Sequence, residues 1–121
     1  MRKSDKKLEK NIVSALTEAC EDALEAYEGF QWLTHIVNYQ HFPESLSIVC
    51  VFNNKEHLQK ALDDNKGEQL KGTIEKKLLT FDIKVKGIKK RILFDTEEAC
   101  EAENDGNWSK RFESFKSARH V

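Results

Sequence analysis

The sequence predicts an α+β protein. A long N-terminal helix packs on a small sheet of about three strands, the element order is α-β-β-α-α-β, and a C-terminal helical arm follows. Three observations carry this. A 3.6-residue apolar stripe runs from Leu8 to Tyr27, two aromatic and β-branched runs flank the chain's single proline, and helical spacing returns before a last alternating stretch.

The first helix is expected from about Asp5 to Glu28. Leu8, Ile12, Leu16, Ala19, Ala23 and Tyr27 follow at steps of 4, 4, 3, 4 and 4, which aligns them on one face, and Ala15, Cys20 and Leu24 widen that stripe. Ser4 or Asp5 can cap its start, and Gly29 is a natural stop. The period then changes. Phe30 to Tyr39 and Leu46 to Phe52 read as two strands, joined through a loop at His41-Phe42-Pro43-Glu44-Ser45. They form an antiparallel hairpin, with Leu46, Ile48, Cys50 and Phe52 on the face that meets the helix. Asn53 and Glu56 have the spacing of a capping box, and Leu58, Ala61 and Leu62 form the stripe of a second helix. Asp63-Asp64-Asn65-Lys66-Gly67 breaks it. Leu70, Ile74, Leu78 and Phe81 continue as a third helix, with Gly72 inside it.

Ile83-Lys84-Val85-Lys86 alternates as a half-exposed strand would, and Ile88, Ile92 and Phe94 continue beyond Gly87. This reads as one strand bulged at Gly87 or two short strands turning there, the bulge being favoured. Asp95 and Glu98 have capping-box spacing before a short acidic helix from Thr96 to about Glu103. Asn104-Asp105-Gly106-Asn107 is a turn, and Trp108, Phe112 and Phe115 mark an amphipathic tail. The domain proper is expected over 1–94, with residues 95–121 as an arm packed on it. The element order matches the type II KH arrangement. Such modules grip nucleic acid with a GXXG loop. The corresponding loop here is Asp64-Asn65-Lys66-Gly67, with Asp64 where the first glycine would stand.

At 121 residues the chain has the length of one domain. Charged residues are 34% and mean hydropathy is −0.66, and no apolar run reaches the ~20 residues of a membrane span. No apolar segment follows the basic start to make a signal peptide, so a cytoplasmic protein without a membrane partner is expected. Cys20, Cys50 and Cys100 contain no CxxC pair. They read as reduced, structural thiols rather than zinc ligands or disulfides. No nucleophile elbow, HExxH, Walker A loop, GxGxxG or EF-hand loop occurs. The expectation is a non-enzymatic binding protein without a cofactor or metal. His35 and His41 lack a matching third ligand, and the acidic run from Asp95 to Asp105 reads as a capped, solvated helix.

Net charge is −1, yet the charge is segregated. Lys66 to Arg91 holds nine basic and three acidic residues, while Asn11 to Glu28 holds five acids and no base. A local positive field attracts phosphates whatever the total. Lys66, Lys71, Lys84, Lys86, Lys89, Lys90 and Arg91 are therefore candidate contacts for DNA or RNA. The competing reading places the last five on an edge strand, guarding it against aggregation. A rival function is a protein-interaction module or homodimer that uses Trp108, Phe112 and Phe115 or an open sheet edge.

Phe94-Asp95-Thr96-Glu97-Glu98-Ala99-Cys100 and Gly106-Asn107-Trp108, with the opening Met1-Arg2-Lys3-Ser4-Asp5-Lys6-Lys7, resemble a group of short proteobacterial proteins. Some of these carry the label Fis-family transcriptional regulator. The resemblance implies a regulatory role. It assigns no residues, since no segment here reads as a helix-turn-helix pair.

Overall fold

The structure is a computed structural model that describes residues 2–119, with side chains described from 2 to 114. Helix α1 (Lys3–Ala26) leads through Gly29 into strand β1 (Phe30–Ile36). A 3-10 turn at Tyr39–His41 precedes β2 (Ser47–Phe52). Helices α2 (Lys55–Asp63) and α3 (Lys66–Thr80) follow, then a second 3-10 helix at Ile88–Arg91. Strand β3 (Ile92–Thr96) runs directly into α4 (Glu97–Asn104), and α5 (Trp108–Arg119) ends the described chain. The architecture is α+β.

The sheet has the order β1-β2-β3, antiparallel between β1 and β2 and parallel between β2 and β3. Its register assigns two faces. One carries Phe30, Leu33, Ile48, Cys50, Phe52 and Ile92. These join Ile12, Ala15, Leu16, Ala19 and Ala23 of α1 and Leu70, Ile74 and Leu78 of α3 in the main core. The stripe expected for α1 is buried along Ile12, Leu16, Ala19 and Ala23 together with Ala15, and Leu8, Cys20 and Tyr27 are partly buried against it, but Leu24 is 54% exposed and falls outside it. The other face carries Trp32, Thr34, Val49, Val51, Leu93 and Asp95. Val49 and Val51 are fully buried although they stand outside the main core.

A bulge produces this division on β1. Phe30 pairs with Phe52 but Trp32 pairs with Val51, so Gln31 is the extra residue. Without it Phe30 and Trp32 would share a face. With it Phe30 meets Phe52 edge-on in the core, at a centroid distance of 5.7 Å, and Trp32 turns to the opposite side.

Three expectations need correction. Residues 83–87 form no strand, and 88–91 form a 3-10 helix, so the last strand begins only at Ile92. Ile83 and Val85 are buried and their neighbours exposed, as predicted, but no strand lies beside them. The caps of α2 and α4 move by one residue. Asn54 accepts the His57 amide at 2.8 Å, and Thr96 Oγ1 accepts the Ala99 amide at 3.0 Å. Asn53 and Asp95 are engaged elsewhere, with His57 and Arg111 respectively. At α1 the cap position falls to Arg2, whose side chain makes no capping bond. The expected boundary at residue 94 also falls inside β3.

Candidate nucleic-acid interface

Helix α3 ends where Asp82 adopts a left-handed conformation, φ 61°, and the Ile83 amide turns back to the Leu78 carbonyl at 2.8 Å. From there the chain is extended. Ile83 and Val85 are pulled into the core, so Lys84 and Lys86 are driven outward. Gly87, at φ 72°, permits the turn into the 3-10 helix. Three residues per turn put Ile88 and Arg91 on the inner side. Ile88 is buried, and Arg91 Nη1 donates to the Pro43 carbonyl at 3.1 Å. Lys89 and Lys90 are left exposed.

The result is four exposed lysines within seven residues, in a stretch from 83 to 91 that holds no acid. Beside them lies a groove of about 570 Å³. Leu78, Ile83, Val85 and Ile88 are among its lining residues, Lys84 and Lys86 border it, and Glu75 is its one acid. Because this segment makes no ladder, its lysines are not guards of a strand edge.

The other candidate cations stand apart. Lys66 opens α3, and the 15 residues of that helix span roughly 21 Å at 1.5 Å per residue. It therefore sits at the far end of α3 from Lys84, in a shallow cleft with Tyr27 and His57. Lys71 lies 5.6 Å from the centre of the Phe94 ring and 3.7 Å from Glu68. Gly67 does not present its backbone as a GXXG loop would. It is buried, and a Cβ there would stand 2.8 Å from Leu62 Cδ2 and 3.5 Å from the Phe94 ring. Its smallness serves helix packing.

The tail aromatics pack on the same chain. Trp108 and Phe112 both approach Trp32 edge-on, at 4.8 and 6.5 Å between centroids. Both indole N–H groups donate to one carboxylate, Trp32 to Glu97 Oε1 at 2.6 Å and Trp108 to Glu97 Oε2 at 3.1 Å. The Phe115 side chain lies outside the described residues. Nothing local in the sequence signals this cluster, since Trp32 and Glu97 are 65 residues apart. The stretches around Phe94 to Cys100 and Gly106 to Trp108 are thereby the parts that hold the arm to the sheet.

Helices α2 and α4 begin at the carboxyl ends of the two parallel strands, a common place for anions to bind. Here the position is filled from within. Glu98 Oε1 accepts the Lys55 amide at the start of α2, at 2.9 Å. Two of the histidines are likewise engaged, His35 Nε2 with Glu9 at 2.9 Å and His57 Nδ1 with Asn53 at 2.7 Å. Among the described residues no group of three or more His, Cys, Asp or Glu side chains is placed to hold a metal ion. Among the described residues no helix is long and apolar enough to cross a membrane. No protein-family model matches the chain, and neither does any curated protein or solved structure.

Proposed function

We propose that this protein is a non-enzymatic binding protein of the cytoplasm that contacts the phosphate backbone of DNA or RNA through Lys84, Lys86, Lys89 and Lys90, in the service of gene regulation. One observation carries the reading. These four ammonium groups stand exposed on one short connection without an acid among them, although the chain as a whole has a net charge of −1. Burial of Ile83, Val85 and Ile88 pins the connection, so the charges are displayed on an anchored backbone. Phosphate recognition of this kind needs clustered cations more than base-reading side chains. The resemblance to short proteins labelled as Fis-family regulators supports the regulatory part.

Salt tests it. Anisotropy of a labelled oligonucleotide, single- or double-stranded, should show binding whose log–log salt slope is roughly −3 to −4 for four contacts. Reversing all four lysines to glutamate should abolish it while leaving the circular dichroism unchanged, because none of the four is buried. Absence of wild-type binding at low salt overturns the proposal.

A further inference from the structure

The strand at the other side of the sheet is bare. β1 pairs with β2 along one edge only, and among the described residues no hydrogen bond satisfies the outward backbone groups of residues 31–36. Beyond the bulge at Gln31 the strand is regular, from Trp32 to Ile36. It carries none of the usual guards, having no lysine, no proline and no acid.

Helix α1 flanks this edge and runs in the opposite direction, with Glu9 bonded to His35 near one end and Gly29 joining the two elements at the other. Its side facing α3 is occupied, since Lys77 lies 3.2 Å from Glu18 and 3.5 Å from Asp22. Its side toward the β1 edge is not. There Lys6, Lys10, Val13, Thr17, Cys20 and Leu24 follow at steps of 4, 3, 4, 3 and 4, the period of a coiled-coil seam. Val13 is 47% exposed and Leu24 is 54% exposed. Cys20 is half-buried against the core, and the fully buried residues of the helix form the neighbouring stripe.

We propose that β1 and this stripe of α1 together form the interface of a twofold homodimer. Two β1 strands pair antiparallel into a continuous six-stranded sheet, and the two α1 helices lie antiparallel across the join. Charge argues for a second copy over any other strand donor. The stripe is basic at its start, with Lys6 and Lys10, and Glu21 and Glu25 stand beside its far end. Antiparallel pairing of identical helices brings the basic end of each against the acidic end of the other, and a twofold axis does so twice. An unguarded edge and an uncovered seam on the same side are then satisfied by one contact.

Sedimentation equilibrium and amide hydrogen exchange test this on the full chain. The wild type should sediment at twice the 14.0 kDa chain mass and revert to the monomer on dilution. Alternate amides between Trp32 and Ile36 should lose protection in step. The double variant Val13→Glu, Leu24→Glu alters only exposed positions and should sediment as a monomer with unchanged circular dichroism. A wild type that stays monomeric up to sub-millimolar concentration overturns the proposal. So does a dimer that survives the double variant, or one whose β1 amides exchange as freely as in the monomer.

Discussion

Arg111 grips Asp95 through both carboxylate oxygens, Nε to Oδ2 at 2.6 Å and Nη2 to Oδ1 at 2.9 Å. The pair joins α5 to β3 and is nearly dry, the side chains being 12% and 9% exposed. Arg111 also donates to Asn104 Oδ1 at 3.0 Å, so one guanidinium ties the strand, the end of α4 and the arm together.

Removing only the cation is therefore costly. Arg111→Met leaves the Asp95 carboxylate with just the Thr96 amide, and loss of one partner from a buried pair costs about 3–5 kcal/mol. The double variant Arg111→Met, Asp95→Asn should recover a good part of that loss, because no unpaired charge remains. Urea unfolding of the two variants checks the order.

Two glycines should respond to alanine in opposite ways. At Gly72 an added Cβ meets nothing within 4 Å. The helix gains propensity, and Gly72→Ala should stabilise by about 0.5–1 kcal/mol. Gly29 has φ +85°, and its added Cβ would fall 2.5 Å from His57 Cβ. Gly29→Ala should destabilise by at least ~1–3 kcal/mol, from the left-handed conformation alone. Thermal midpoints of both variants decide this.

How much of this molecule was legible in its residues depended on the range of the interaction. The α1 stripe and the inward face of β2 were legible because each is a local period, and burial selected those residues. The alternation at Ile83 to Lys86 misled for a physical reason. An extended chain alternates whenever one side faces a core, whether or not a strand lies beside it. The lysine cluster was visible as composition. That Arg91 and Lys71 would be diverted was not, since Pro43 and Phe94 reach them from distant parts of the chain. The caps slipped by one because Asn53 and Asp95, each a good cap by type, are claimed by His57 and Arg111.

The three thiols should separate cleanly by accessibility. Cys50 is fully buried, and burial pushes its thiol up to about 12. Cys100 is also buried and raised, again through burial first. Cys20 is only partly covered. A thiol reagent at neutral pH, at a dilution where the chain is monomeric, should label Cys20 alone in the folded protein, and all three after unfolding. Peptide mass mapping reads the result.

Acid should expose the role of Glu9. Its hydrogen bond with His35 holds the carboxyl below the ordinary 4.5, against the opposing pull of burial. A depressed folded value stabilises the native state above the unfolded value, and the gain is lost as pH falls through the folded one. Glu9→Gln should therefore be the less stable protein at neutral pH. Its deficit should shrink steadily as pH drops below about 4.5, which a series of urea midpoints would show.

The sheet also imposes a schedule on synthesis. β2 is the central strand and is complete at Phe52, yet its parallel neighbour does not begin until Ile92. At ~5–20 residues per second, the ribosome needs roughly 2–8 s to deliver the missing strand. Throughout that interval the nascent chain carries an open edge on what will become its innermost strand. The side of the sheet around Val51 waits longer still, until Trp108 arrives. A ribosome stalled inside α3 thus holds a chain with both edges of its hairpin unpaired, the state in which this protein is most in need of a chaperone.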